Sequence, residues 1–458
     1  MYGNVPFLYR LHQRYGNTYQ VRSWISLPTV CTIATENLRT INTSKDFGVE
    51  PTRLPGLAYF CGRVFITTDG NTWNHSRKLL KPSFDSSNIR DLTTLSREVD
   101  HLIEELPKDT SAVDLQAPLY ARKVSKFSLA FRAGVHPSEG SSGAPLTADE
   151  FVRAFHDALF YSMVRVVLGR AWSLLPQSRY IKSCAKAHGF VDYYISQAYG
   201  KEDPPKSKSL IQVLSAQTND PEFIRNQVIQ AMIAAQDTTS ELLTNALFLL
   251  ARHPKYWQQL RSEFVDRSEG DLSVESLRGS KSIENALHET LRLHPIFPLL
   301  GRVALRDTKL PVGGGPHHDR PMFTPKGSPV VMGYYALYRN PEVFGEDLEA
   351  FRPEHWNSIK PAQWDFLGFG GSNRACLGQQ KTMLEASYVL ARLSQAIEKL
   401  TSADDREWKG ELKLTCKSAN GCKFKYALSN FQLVKTFIHV KISGQSAPSC
   451  KWKETFFD

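Results

Sequence analysis

The sequence predicts a mainly α-helical protein with a minor sheet component. Helical periodicity dominates the middle of the 458-residue chain, whereas β-like segments lie near the two ends, such as residues 19–34. The composition, with 41% hydrophobic and 22% charged residues, is that of an ordinary globular protein. It excludes disordered, collagen-like and disulfide-scaffold classes. A chain of this length forms a core large enough to enclose a cofactor.

The net charge of +10 is concentrated in two segments. Residues 151–200 carry six basic against two acidic side chains, and residues 401–458 carry ten against six. No run of Lys and Arg interleaved with aromatic residues occurs, which argues against nucleic-acid binding. The charge favours an acidic protein partner or an anionic membrane surface.

The seven cysteines form neither a CxxC pair nor a zinc-binding spacing, which predicts a reducing compartment. The sequence has no apolar run of about 18 residues and does not open with a signal-peptide pattern. Residues 133–148, 202–209 and 310–321 are rich in residues that interrupt regular structure, such as Gly, Pro and Ser, and are predicted to be surface loops within one domain. His317 and His318 in the last loop lack a third ligand at a useful spacing, so a metal site there is disfavoured.

The segment DGNTWNHSRKLL predicts a helix with Trp73 and Arg77 four residues apart on one face. An indole donor and a guanidinium that face the same way suit a carboxylate. The alternative is an aromatic ring that covers the stem of a surface arginine.

The clearest predicted element is a helix over residues 221–253. Asn219 or Asp220 can cap it, Pro221 suits its first turn and Pro254 ends it. Such a helix would be roughly 50 Å long at about 1.5 Å per residue. It is apolar on most sides, which predicts a position in the middle of the protein.

The centre of this predicted helix is polar, with Asp237 followed by Thr238. Burying these side chains is unfavourable unless they are hydrogen-bonded. The Thr238 hydroxyl can bond to the carbonyl of Ala234, bending the helix and opening a groove. An acid and an alcohol in that groove can relay protons to a bound oxygen molecule. The alternative is the polar stripe of an ordinary amphipathic helix.

Two further patterns follow along the chain. HETLRLHP places Glu289 and Arg292 three apart on one helix face, where they can pair; alone this pattern is common.

In FGGSNRACLG, Cys376 stands at or just before a predicted helix, whose N–H groups and dipole stabilise a thiolate. Its glycines let backbone N–H groups turn toward the sulfur, and Gly378 allows a flat partner to approach. Arg374 would face an anionic group nearby. The pattern suits a thiolate ligand of haem iron, and the alternative is a buried structural cysteine.

The order of these patterns resembles the cytochrome P-450 superfamily over nearly the whole chain, from residue 8 to residue 428. FRPEHW, at residues 351–356, stands between the Glu289 pattern and the cysteine loop, as in the family. The resemblance implies a mainly α cytochrome P-450 fold with a large helical lobe and a smaller β-rich lobe around a buried haem b. Residues 1–428 would form one catalytic domain, and residues 429–458 an atypical tail, disordered or an artefact.

The resemblance also implies roles for single residues. Cys376 is similar to the axial thiolate ligand of the haem iron, whose electron donation favours O–O cleavage. Asp237 and Thr238 correspond to the catalytic acid and alcohol. The implied cofactor-binding residues are Trp73, Arg77, Arg302, Phe369 and Arg374, with the arginines and the tryptophan at the haem propionates. The implied structural network is Glu289, Arg292 and His355.

HSRKLLKPSF, LPVGGGP and CLGQQKTMLEASYVLARL are similar to segments of fungal alkane and fatty-acid hydroxylases of this superfamily. That similarity implies hydroxylation of a long aliphatic chain with O2 and with electrons from NADPH, delivered by NADPH-cytochrome P-450 reductase. The implied protein is a monomer at the cytoplasmic face of the endoplasmic reticulum membrane. The family's membrane anchor is not in the sequence as given.

Four positions depart from the family pattern. Ala235 stands where Gly is usual, His355 where Arg is usual, and Ser372 and Asn373 where Gly-Pro is common. These departures favour one alternative, a catalytically impaired haem- or lipid-binding relative or a degenerate gene product. A second alternative, the rearrangement of lipid hydroperoxides without a reductase, is disfavoured because it needs no acid-alcohol relay such as Asp237 and Thr238.

Overall fold

The computed structural model is mainly helical with several small sheets, as the sequence predicts, and describes residues 5–22, 27–84, 92–107, 112–116, 144–198, 210–268 and 271–429. Its α-helices in these ranges are α1 Val5–Tyr15, α2 Thr35–Thr43, α3 Glu50–Cys61, α4 Gly70–Leu80, α5 Thr93–Glu104, α6 Ala148–Leu168, α7 Ser178–Ala198, α8 Leu210–Ser215, α9 Pro221–Arg252, α10 Pro254–Phe264, α11 Val274–Gly279, α12 Lys281–Leu293, α13 Tyr334–Leu337, α14 Pro341–Phe344 and α15 Gln379–Ala396. The strands are β1 Thr18–Val21, β2 Thr29–Thr32, β3 Phe47–Gly48, β4 Val113–Asp114, β5 Leu300–Ala304, β6 Thr308–Gly314, β7 Arg320–Thr324, β8 Pro329–Met332, β9 Ile397–Ser402, β10 Gly410–Leu412, β11 Cys416–Ser418 and β12 Lys423–Leu428.

The long central helix α9 confirms the predicted element at 221–253. The Asp220 carboxylate caps it by accepting a hydrogen bond from the Phe223 N–H at 3.1 Å, and Pro221 occupies its first turn. The helix ends at Arg252, and Pro254 begins α10. The helix continues unbroken through the polar segment that contains Asp237 and Thr238.

Helix α9 connects two hydrophobic clusters. Its first half, up to Ile233, packs with side chains of α3, α6 and α7. Its second half, from Leu242, packs with α10, α12 and α15. The polar centre of the helix therefore lies where the two clusters separate.

The largest sheet has the strand order β1-β2-β8-β5-β3, in which β2 and β8 run parallel and the other neighbours are antiparallel. Strands β1 and β2 confirm the β prediction for residues 19–34. Strand β5 carries Arg302 opposite Val330 of β8, so this sheet fixes the position of that arginine.

The prediction of a surface loop at residues 310–321 is wrong. Most of this segment belongs to the antiparallel hairpin β6–β7, closed by a turn in which Gly315 has φ +74°. The side chain of Asn37 in α2 both donates to Val312 O at 3.0 Å and accepts from Val312 N at 3.1 Å. This tertiary contact holds the Gly-rich segment extended, and local sequence does not reveal it. Of the predicted loop at 133–148, residues 133–143 lie outside the described residues, and residues 144–147 precede helix α6 without regular secondary structure. The predicted loop at 202–209 and residues 430–458 of the predicted tail at 429–458 also lie outside the described residues.

The described ranges contain neither a candidate membrane span nor a candidate metal site. No helix there is both long enough and apolar enough to cross a membrane. No group of three His, Cys, Asp or Glu side chains there is arranged to hold a metal ion.

Candidate active site

The cysteine loop precedes helix α15. The Cys376 N–H donates to the carbonyl of Phe369 at 2.8 Å, which closes the loop, and Gly370 turns the chain with φ +76°. Gly371 is extended instead, and a Cβ there would lie only 2.8 Å from the Trp364 ring, so packing requires this glycine. A Cβ at Gly378 would lie 3.8 Å from Cys376 Sγ, so the glycine keeps that flank of the sulfur uncovered.

Cys376 differs from the other described cysteines in its environment. Its side chain is exposed, whereas four others are buried, and Cys31 is partly buried. Burial raises the pKa of Cys184 and of Cys416 to about 12, which disfavours their thiolates. Among the cysteines that the structure describes, Cys376 is therefore the one placed to present a thiolate to a partner.

Two arginines predicted at the cofactor lie beside the same tryptophan. The Arg77 guanidinium donates to the carbonyl of Ala375 at 2.8 Å and lies 5.8 Å from the centre of the Trp73 ring. The Arg374 guanidinium lies 4.8 Å from that ring and 2.5 Å from the Asp69 carboxylate. Helix α4 thus brings Arg77 to Ala375, the residue that precedes Cys376, with Trp73 beside it.

Arg53 and Asp69 belong to this cluster and were missed by sequence reasoning. Arg53, on α3, donates to the carbonyl of Ile66 at 3.2 Å. Burial lowers its pKa, the charges of Arg302 and Arg374 lower it further, and Asp69 opposes the shift. Arg53 stands in no motif, so only the fold shows that it joins the other arginines.

The cluster holds more positive than negative charge. Four guanidinium groups, those of Arg53, Arg77, Arg302 and Arg374, interact with each other or with one carboxylate, that of Asp69. Within the described residues, no carboxylate lies within 4.0 Å of Arg53, Arg77 or Arg302. Burial also lowers the pKa of Arg302 and of Arg374. Because buried unpaired charge is unfavourable, this cluster calls for an anionic ligand with more than one negative charge.

The alcohol of the pair in α9, Thr238, lies on an open side of that helix, whereas the acid Asp237 is buried. The Thr238 hydroxyl donates to the carbonyl of Ala234 at 2.9 Å, which confirms the predicted back-bond. Ala234 is exposed and Thr238 partly exposed, although the neighbouring Ile233 and Ala235 are buried. The chain itself therefore leaves one face of this turn uncovered.

The predicted structural network is present and larger than expected. The Glu289 carboxylate accepts two hydrogen bonds from Arg292, one from the His355 ring at 2.9 Å, one from Trp356 Nε1 at 2.9 Å and one from Arg352 N at 3.0 Å. Burial raises the pKa of Glu289, but the hydrogen bonds from Arg292 and His355 outweigh it and lower the pKa to about 2. His355 thus fills the place where the family usually has arginine.

Comparison with known protein families shows to which family the chain belongs. The model of the cytochrome P-450 family matches residues 4–416, which is most of the chain. The chain belongs to the cytochrome P-450 family.

Similar proteins occur in several fungi. The chain is 33% identical to cytochrome P-450 monooxygenase fsdH of Fusarium heterosporum over 90% of its own length and 75% of that protein. It is 33% identical to cytochrome P-450 52E1 of Candida apicola, over 81% of the chain and 75% of that protein. It is also 33% identical to cytochrome P-450 52A12 of Debaryomyces hansenii, over 82% and 78% respectively.

The protein is accordingly a cytochrome P-450 monooxygenase that uses haem, O2 and electrons from NADPH through a reductase. Its residues fit this cofactor on two independent grounds. The exposed Cys376 side chain offers a soft sulfur ligand for iron, and the excess of guanidinium groups matches the two propionates of haem. Phe369 lies in the same loop and accepts the hydrogen bond from Cys376 N.

Proposed function

We propose that this cytochrome P-450 hydroxylates long-chain aliphatic substrates, fatty acids or n-alkanes, and that Cys376 is the thiolate that would bind the haem iron. The observation that carries the assignment of the ligand is the exposed Cys376 side chain beside the arginine cluster. The substrate class is supported by the similarity to fungal alkane and fatty-acid hydroxylases. We propose residues 1–428 as one catalytic unit that works as a monomer.

The haem, once bound, supplies the chemistry that activates oxygen, and the chain supplies position and protons. Arg53, Arg77, Arg302 and Arg374 are proposed to hold the propionates, because an anion there offsets their charge. Trp73 packs beside two of these guanidinium groups and keeps them in place.

Asp237 and Thr238 are proposed to hold and move protons at the centre of α9, with Asp237 as the buried acid and Thr238 at the open face. The Thr238 hydroxyl donates to the Ala234 carbonyl, so its oxygen has lone pairs available to accept a hydrogen bond. Rotation of the hydroxyl then redirects its proton toward the uncovered face of the helix. The carboxyl and hydroxyl groups that such a relay requires are both present, which favours an active enzyme over a catalytically impaired relative. His355 stands where the family usually has arginine, but its ring still forms a hydrogen bond with Glu289. This contact also favours an active enzyme.

We also propose contact with a membrane at the cytoplasmic face of the endoplasmic reticulum. Large apolar side chains are exposed between residues 160 and 181, among them Val167 at 70% and Leu174 at 85%. Exposed basic residues Arg179, Lys182 and Lys186 follow in α7. Apolar side chains flanked by basic ones suit an anionic lipid surface.

The decisive experiment is the absorption spectrum of the reduced, carbon-monoxide-bound protein. We expect a Soret band shifted far to the red, which Cys376→Ala eliminates and the matched variant Cys31→Ala retains. A normal spectrum in Cys376→Ala would refute the assignment of the ligand. Wild-type protein with a reductase and NADPH is then given a series of saturated fatty acids and n-alkanes. Hydroxylated product supports the proposed substrate class, whereas turnover of lipid hydroperoxides without NADPH would replace it with the rearrangement reaction.

A further inference from the structure

A histidine from another helix lies next to the acid of α9. His156 belongs to α6, and its Nε2 atom is 3.9 Å from Oδ1 of Asp237. The side chain of Asp237 is only 11% exposed, whereas that of His156 is 35% exposed. His156 therefore stands between the buried acid and more accessible space.

We propose that His156 passes protons to Asp237 and is a positioning and proton-supplying residue for the hydroxylation. This inference rests on the proposed function of the Asp237 and Thr238 pair. Hydroxylation converts the substrate, O2, NADPH and one proton into alcohol, water and NADP⁺, so each turnover needs a proton from solvent. In the step proposed here the other ring nitrogen, Nδ1, takes a proton from hydronium, which leaves water, and the imidazolium then loses its Nε2–H proton to form an O–H bond on Asp237. The ring is left neutral, and rotation or tautomer exchange restores the Nε2–H bond.

The distance between His156 and Asp237 suits a proton relay in which the imidazole ring rotates. At 3.9 Å the two atoms are not hydrogen-bonded in this conformation, since such bonds extend to about 3.2 Å. A small rotation of the imidazole or one bridging water connects them. Because helix α6 carries the histidine and helix α9 the acid, the path exists only when the two helices are packed together.

The surroundings set the charge of His156. Burial lowers its pKa most strongly, Asp237 of α9 and Asp157 of α6 raise it, and Lys413 and Lys417 lower it. Lys413 follows β10 and Lys417 lies in β11; both also pair with Glu411, at 3.4 and 3.9 Å. The net effect is a pKa below the ordinary 6.5. The ring is therefore mainly neutral at neutral pH, and a neutral imidazole accepts a proton on one nitrogen while it donates from the other.

The test variant is His156→Gln, which keeps a hydrogen-bonding group but removes the titration. Its matched control is His188→Gln on α7, where the parent ring also has a burial-lowered pKa but bonds to the carbonyl of Phe60 at 2.8 Å. We expect the product formed per NADPH to fall about threefold to tenfold in His156→Gln, the hydrogen peroxide released to rise, and the solvent isotope effect on kcat to increase. The pH profile should also lose its inflection below about pH 6.5. The carbon monoxide spectrum of His156→Gln should match that of the wild type. The control His188→Gln should match the wild type in all of these measurements.

Two further measurements distinguish a failure of this inference from a failure of the proposed function. Asp237→Asn should reduce the product per NADPH, and adding His156→Gln should cause little further loss, because both residues lie on one path. Independent effects of the two variants would overturn the inference.

The second comparison needs no turnover. In reduced, carbon-monoxide-bound protein with ¹³C-labelled histidine, NMR titration should show that Asp237→Asn lowers the pKa of His156 and leaves that of His188 unchanged. An unaltered His156 titration would overturn the inference. Failure of the proposed function would instead appear in the wild type, as a missing red-shifted band or missing hydroxylation.

Discussion

The Glu289 carboxylate and the Arg292 guanidinium share two hydrogen bonds of 2.8 and 2.9 Å, and their side chains are 0% and 1% exposed. Arg292 also donates to the carbonyls of Leu348 and Ala350 at 2.7 and 3.1 Å. The pair thus ties α12 to the segment that leads into FRPEHW. Its charges are buried and fully hydrogen-bonded, which makes loss of either one expensive.

We predict that Glu289→Gln lowers the free energy of unfolding by about 3–5 kcal/mol, because Arg292 is left as an uncompensated buried charge. The control Glu284→Gln on the same helix removes only an exposed pair with Lys281 and should change stability by about 0.5 kcal/mol or less. Denaturant unfolding monitored by circular dichroism measures both. Equal effects of the two variants would contradict the prediction.

The same carboxylate predicts a pH dependence. The pKa of Glu289 is lowered in the folded protein from its ordinary 4.5 to about 2. A depressed carboxyl pKa means that its stabilisation is present above pH 4.5 and is lost as the pH falls toward 2. The loss should amount to about 3 kcal/mol. Unfolding measured across this range should show a steeper loss in wild type than in Glu289→Gln.

The arginine cluster predicts an effect on haem retention. Arg53→Gln should speed haem release at least about tenfold, because a hydrogen bond to a charged group is worth about 1.5–3 kcal/mol. The matched control Arg63→Gln removes an exposed arginine that pairs with Glu50 at 2.6 Å, and it should leave haem release unchanged. Transfer of haem to an excess of apomyoglobin gives the rate. An unchanged rate in Arg53→Gln would remove this residue from the proposed propionate site.

Local patterns predicted the parts of the site that depend on spacing within one helix or loop. The Thr238 back-bond to Ala234 needs only four residues of helix, and the pairing of Glu289 with Arg292 needs three, so both were predictable and both are present. Helix α9 was predictable because Asp220, Pro221 and Pro254 mark its ends.

Contacts between distant segments were not predictable in this way. Arg53 joins the arginine cluster through the segment after α3, where it donates to the carbonyl of Ile66 while Arg374 donates to that of Thr68, and its sequence neighbours give no sign of this. His156 approaches Asp237 only because α6 packs near α9. The Gly and Pro residues of 310–321 favour a loop locally, and the contact with Asn37 that holds this segment in a hairpin comes from a distant part of the chain.

The cysteine loop contains a residue in an unfavourable conformation. Ser372 has φ +56°, in the left-handed region that glycine adopts without penalty, and the family commonly has glycine here. We predict that Ser372→Gly raises the free energy of unfolding by about 1 kcal/mol. Asn373→Gly is the control: Asn373 does not have positive φ, so glycine there should lower stability by about 0.5–1 kcal/mol. Stabilisation by both variants, or by neither, would show that the strain at Ser372 is not significant.

The exposed apolar segment predicts how the protein binds lipid. Leu174 is 85% exposed, and burying such a side chain in a bilayer contributes about 1.5–3 kcal/mol. Leu174→Asp should therefore weaken cosedimentation with vesicles of phosphatidylcholine and phosphatidylserine at least about tenfold, because it removes apolar area and adds negative charge. Val265→Asp, at the end of α10 and 37% exposed, is the control and should bind like wild type. If the two variants bound equally, residues 160–181 would not be the lipid-binding surface, and the basic charge of that region would belong to a protein partner instead.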